Sequence, residues 1–177
     1  MQENINVMSA HFRMFARYNA WANELLYSAA ARMTDADYRA ERGAFFGSVH
    51  RTLNHLLAAD RIWMRRFTGF GDHPGGLDVI LFDDLASLTR ARQAEDRRII
   101  DWVEDLSEAN LAAELRYRTI SPPAEVVQPL APALSHFFNH HAHHRGQIHA
   151  LITAAGGRNA APSLDLIYFQ RETGIGL

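Results

Sequence analysis

Cysteine is missing from this 177-residue sequence, and so is lysine: all 18 basic side chains are arginines. Without thiols there can be no disulfide, no thiolate nucleophile and no cysteine-ligated zinc or iron–sulfur centre. Without lysine, Schiff-base chemistry, a pyridoxal phosphate anchor and the phosphate-loop lysine are excluded as well. Long apolar runs are also lacking; nothing approaches the roughly 20 residues that a membrane span requires. The formal charge is −2 and no basic tract of the kind that tracks phosphates is present, so neither nucleic acid nor membrane is an expected partner. The first residues, MQENINVMSAHFRMFARYNAW, lack the charged-then-apolar layout of a secretion signal and read as an amphipathic helix. A cytoplasmic location is the expectation.

What is present is a chain long enough, at 47% apolar residues, for one domain over residues 1–177 with a substantial core. Four segments carry helical periodicity. In the first, Met8, Phe12, Phe15, Tyr18, Ala22, Leu25, Leu26 and Ala29 form one stripe, which Thr34-Asp35 ends. The second is predicted from about Phe45 to Phe67, and the glycine-rich run from Thr68 to Gly76 must be a loop. A third is predicted over Asp84–Leu106, with Leu85, Leu88, Ile99 and Val103 inward and an outer face rich in Arg, Glu and Asp. Ser107 then caps a short helix. Leu115 to Leu130 predicts a small hairpin or extended crossover around Ser121-Pro122-Pro123. The fourth long helix is predicted from near Pro132 to Gly156-Gly157, and the patch Leu164-Ile167-Tyr168-Phe169 is expected to dock on the bundle. The fold class is all-α, a four-helix bundle.

Histidine is abundant, at 10 residues, five of them between His136 and His144. Residues four apart share a helix face, about 5–6 Å between Cβ atoms, so His140 and His144 can share one ion. Both fall on the apolar side of their helix with Ala133, Phe137, Ile148 and Leu151. His136 and His143 lie at its edge, and His141 and His149 turn progressively away. On the second helix His55 borders the apolar stripe and can meet the pair, whereas His50 is expected on the solvated side. Three neutral imidazoles would leave room for water or substrate, and imidazole suits zinc, nickel, copper or iron. The cluster has no glutamate, so neither HExxH nor the Glu-x-x-His pairs of di-iron bundles is present. Spacing alone leaves open a surface polyhistidine patch with nonspecific metal affinity.

The segment His140-x-x-x-His144-Arg145-Gly146-Gln147 resembles the HxxxHRGQ signature of the DinB/YfiT-like family, bacterial four-helix-bundle proteins regarded as metalloenzymes. Tyr18-Asn19-Ala20-Trp21 resembles the family's first helix, Leu53–Trp63 its helix with a ligand histidine followed by an acidic residue and an aromatic, and Asp165-Leu166-Ile167-Tyr168 its end. The resemblance covers nearly the whole chain. It implies a metal triad of His55, His140 and His144, holding nickel or zinc, with iron or manganese as alternatives, and a homodimer. Better-characterised relatives use low-molecular-weight thiols, which implies a small-molecule substrate and favours a thiol transferase slightly over a hydrolase.

Two further residues are candidates for a catalytic or supporting role. Asp60 lies on the apolar face of its helix and must be paired there, as a support for a neighbouring group or as a structural cross-link. Gln147 falls on the metal side and can hold a ligand imidazole. Arg145 points elsewhere, toward helix packing, a dimer contact or anion recognition, while Gly146 is expected to permit close helix approach. Asn19 is expected to satisfy a buried polar group, and Tyr18, Trp21 and Trp63 to be core. His73 should be solvated. The expected activity is that of a metal-dependent enzyme which activates a thiol or water for transfer to, or hydrolysis of, a small molecule. The competing expectations are a non-catalytic, stress-related metal- or ligand-binding homodimer and, less well suited to three imidazoles, a haem bundle.

Overall fold

The computed structural model describes residues 7–177, so the part of the first-helix expectation that precedes Val7 lies outside the described residues. Helix α1 spans Val7–Ala30 and is followed by a short helix α2, Asp35–Arg39, where the sequence suggested only a connection. Thr34 opens α2 by accepting a hydrogen bond from the Asp37 amide, an N-cap that the composition of Thr34-Asp35 already contained. Helix α3, Val49–Thr68, begins four residues after its predicted start. Gly47 has φ of 81°, and Ser48 accepts from the Arg51 amide at 3.2 Å, so Phe45 and Phe46 belong to a tight turn ahead of the helix. Gly69, in the left-handed region, ends it.

Helix α4 covers Leu85–Glu104 behind its cap Asp84, and the capping box of Ser107 and Asn110 starts α5, Glu108–Ala112. Strands β1, Glu114–Arg118, and β2, Glu125–Pro129, form an antiparallel hairpin with Leu115 opposite Gln128 and Tyr117 opposite Val126. Helix α6, Leu130–Gly156, begins before Pro132, which sits in the first turn where its missing N–H has no intrahelical partner to lose. Helix α7 is Leu166–Thr173. Of the predicted tail patch Phe169 is buried and Leu164 packs beside it, but Ile167 and Tyr168 are exposed: a single helical turn presents only one side to the bundle. No helix among the described residues is long and apolar enough to cross a membrane.

Each of the four long helices has two long neighbours, with α1 against α4 and α6, and α3 against the same two. Their apolar residues form two large clusters, apart from a smaller one of Tyr18 and Ala22 with Phe169 of α7. One gathers Phe12, Met64, Ile99, Val103, Leu134 and Phe137; the other gathers Leu26, Leu53, Leu57, Leu88, Ile148 and Leu151. Between them every long helix contributes polar side chains: Asn19 and Asn23 from α1, Asp60 from α3, Arg92 and Asp96 from α4, His141 and Arg145 from α6, all buried. The bundle thus has two apolar halves separated by a charged layer.

That layer corrects two sequence expectations. Arg92, Glu95 and Asp96 do not belong to a solvated outer face of α4 but are buried. Their positions continue the spacing of Leu88, Ile99 and Val103, and only their charge suggested otherwise. His141, expected to turn away, is 0% exposed. His50 is buried too, edge-on to Tyr38 and within 3.3 Å of the Phe82 carbonyl. At Gly146 an added Cβ would meet nothing within 4 Å, so this glycine does not serve close helix approach.

A candidate metal centre between α3 and α6

At the height of the charged layer, on the side where α3 faces α6, His55, His140 and His144 converge. Each offers one ring nitrogen, and these three atoms lie within 4.8 Å of one another. His55 and His144 are buried and His140 half-buried. The Nε2 atoms of His55 and His140 are 3.3 Å apart. Two imidazoles bound to a tetrahedral ion at about 2.0–2.1 Å would place their nitrogens about 3.4 Å apart, close to the observed spacing.

The far side of two rings is fixed. His55 Nδ1 lies 2.7 Å from the Leu77 carbonyl, and since a carbonyl only accepts, that nitrogen carries the proton and Nε2 presents its lone pair inward. His144 Nδ1 is 2.8 Å from Gln147 Oε1, and Gln147 Nε2 in turn meets His143 Nε2 at 3.2 Å. An acceptor behind a ligand imidazole sets its tautomer and orientation. Burial pushes the His55 ring down to about 4, despite the opposing Leu77 bond, and burial with neighbouring imidazoles pushes His140 down to about 3. His144 is lowered by burial as well. All three rings are therefore neutral near pH 7, the form that ligates a cation. Inward lone pairs at such spacing repel one another, and a cation between them removes that repulsion. The donor set fits a divalent transition metal, without selecting one.

Two contributors were missed by the sequence reading. Leu77 lies in the glycine-rich connection, and only its backbone carbonyl matters. Phe46 stacks on the His55 ring at 3.8 Å between centroids, with 23° between planes. Its turn is fixed by Gly47 and Ser48, a signal that the sequence did contain. His136 is exposed, 5.9 Å ring to ring from His140, and His73 is exposed in its loop as expected.

The sequence candidates separate in space. Gln147 sits behind His144, beside the triad. Asp60 is 0% exposed in the charged layer, where its Oδ1 lies 2.5 Å from His141 Nε2 and its Oδ2 accepts from Arg92 Nη1. Burial alone would raise this carboxyl, but His141 and Arg92 outweigh burial and hold it down to about 2. Arg92 also pairs with Asp96 at 3.0 Å, Asp96 accepts from Asn23 at 2.9 Å, and Asn19 accepts from Arg145. Arg145 lies over the Tyr18 ring, whose hydroxyl donates to the Leu164 carbonyl at 2.6 Å. Asn19 thus satisfies a buried polar group, Tyr18 and Trp63 are core, and Trp21 lies half-buried where α1 meets α7. Asp60 and Arg145 tie helices together, and neither side chain joins the three-histidine cluster.

Comparison with known proteins agrees with this architecture. The chain is 25% identical over 174 residues to Protein DinB of Bacillus subtilis (strain 168), covering 92% of this chain and 95% of that protein. The family description DinB family matches residues 6–173. With a histidine-bearing helical bundle and a family match over nearly its whole length, this chain belongs to the DinB family.

Proposed function

We propose that this protein is a metal-dependent enzyme acting on a small molecule, with His55, His140 and His144 as the ligands of one divalent ion, nickel or zinc. A Lewis acid bound there would lower the pKa of a thiol or water in an open coordination position. The supporting observation is the inward convergence of three neutral imidazoles from two helices, two of them held from behind by fixed acceptors. Closed structural sites present four protein ligands; three leave a vacancy for chemistry.

The protein's own groups supply positioning and exclusion of water. The Leu77 carbonyl and the Gln147 amide hold two rings in the ligating tautomer. Phe46 covers the His55 face, so one wall of the site is apolar. No carboxylate belongs to the cluster among the described residues, so a metalloprotease-like mechanism with a ligand-adjacent glutamate has no residue to perform it. A thiol needs less help from a protein base than water does, because its own pKa is lower. Thiol transfer is therefore the preferred reaction.

The test is elemental analysis of purified protein, followed by turnover of a panel of thiols and electrophiles with the zinc- or nickel-loaded form. One equivalent of metal and a metal-dependent rate, both abolished in His55→Ala, His140→Ala and His144→Ala, are expected. Turnover that survives all three substitutions refutes the proposal.

A further inference from the structure

The interface of α3 and α6 continues beyond the triad as a row of rings. His136 lies 5.9 Å from His140, and Trp63 lies 5.3 Å from His136 and 5.2 Å from Tyr117 of β1. The row ends at Arg66. Its guanidinium sits 4.6 Å from the Trp63 ring and 4.8 Å from the Tyr117 ring, and Nη2 donates to the Arg118 carbonyl at 2.9 Å. No carboxylate lies within ion-pairing distance among the described residues, and Nε and Nη1 have no protein acceptor. Earlier on α3, Arg65 donates to the Gly71 carbonyl, while Arg61 and Arg51 pair with Asp72 and Asp78. A guanidinium resting against two adjoining rings and tied through Nη2 keeps its fork in one orientation, so little entropy is lost when an anion engages its free edge.

We infer that Arg66 recognises a carboxylate at the far end of the substrate, whose reactive end meets the triad, so that the row of rings from His140 to Arg66 selects elongated, anionic small molecules. The inference rests on the metal-centre reading above. Arg66 follows His55 on α3 by about 16 Å of helix rise, so a ligand must be extended to touch both ends. The exposed His136 ring, packed beside the buried Trp63, gives its body a flat aromatic surface. A purely structural Arg66, serving only to pin the hairpin through Arg118, would leave the ligand's charge irrelevant. The two roles therefore make different predictions.

Calorimetry separates them. Zinc is titrated first; then ω-mercaptoalkanoates of increasing chain length, and the matching neutral ω-mercaptoalkanols, are titrated into the zinc-loaded full chain. Beyond a threshold length the acid should bind roughly tenfold more tightly than the alcohol, as expected for one charge-assisted hydrogen-bonded pair. The preference should weaken with added salt. Arg66→Gln should erase it while leaving alcohol affinity and zinc stoichiometry in place, and Arg66→Lys should retain part of it. Equal affinity of acids and alcohols at every length in the wild-type protein overturns the role of Arg66 but leaves the metal centre standing. An acid preference that persists in Arg66→Gln also overturns it. Failure to bind either zinc or nickel removes both readings. If Arg66→Gln does not fold, the wild-type comparison of acid, alcohol and salt decides by itself.

Discussion

Removing the Asp60 carboxylate should unfold the middle of the bundle at markedly lower temperature. The side chain is 0% exposed and faces two groups from two other helices, Arg92 Nη1, which donates to Oδ2, and His141 Nε2, 2.5 Å from Oδ1. In Asp60→Ala, Arg92 keeps Asp96 at 3.0 Å, so its charge is only partly orphaned. His141 fares worse, since its Nδ1 remains bound to the Phe137 carbonyl at 2.7 Å and Nε2 is left buried without a partner. One unsatisfied buried polar group costs about 1–3 kcal/mol, and a broken buried ion pair about 3–5 kcal/mol in all. For a chain of this size each kcal/mol lowers Tm by about 2–4 °C, which places the loss near 10 °C. Asp60→Asn keeps the shape and one acceptor, and should fall between that variant and the wild type. The assay is thermal unfolding by circular dichroism, with zinc binding by calorimetry as a control, because Asp60 touches none of the three converging histidines. Adding His141→Gln to Asp60→Ala should produce less than the sum of the two single losses, a coupling above about 1 kcal/mol. A Tm shift below about 3 °C for Asp60→Ala, or strict additivity in the cycle, refutes the account of the charged layer.

Metal removal provides a second measurement. Saturating zinc should raise Tm of the wild-type protein by an amount that chelation reverses, about 4 kcal/mol of stabilisation at a thousandfold excess over Kd, and His140→Ala should abolish that response. Gln147→Leu should keep the fold but weaken zinc binding by about 10- to 100-fold, since His144 loses the acceptor behind it; unchanged affinity by competition titration would show that the amide does not orient the ring. The metal-free protein should also respond to acid in a defined window. The folded state holds His55 at about 4 and His140 at about 3, below the ordinary 6.5, so the unfolded chain binds more protons between those limits. Stability from these rings is then complete above about pH 6.5 and declines as pH falls, toward 4 for His55 and toward 3 for His140, levelling off only below that, the loss from His55 being no more than about 3 kcal/mol. Asp60 acts lower down: its contribution is present above its ordinary 3.8 and is lost as pH falls toward about 2. Urea midpoints measured across this range in wild type and His55→Gln check the window; a flat profile from pH 7 to 4 contradicts it.

Several features were legible before any coordinates, because they depend on local periodicity. The stripes of α1, α3 and α6, the cap at Ser107, the breakers after Thr68 and the β character around Ser121-Pro122 all follow from near neighbours in the chain. The pairing of His140 with His144 is likewise one turn of helix. Asp60 could be recognised as needing a partner, though not which one. Arg92 and Asp96 were misread because charge was taken to mean solvent, although their spacing placed them on the stripe of Leu88 and Ile99.

The sequence by itself determined the four long helices, the inward face of α6 and the chemical poverty that leaves imidazole as the main metal donor. Tertiary structure alone decided that His55 meets His140 at 3.3 Å, that the Leu77 carbonyl and Phe46 stand behind and over that ring, and that five ionisable side chains from three helices, with asparagines from the fourth, share one buried layer. The reason lies in range. Periodicity reports which way a side chain faces on its own helix, whereas convergence depends on the relative height and rotation of helices far apart in sequence, set by packing of the two apolar halves above and below the layer.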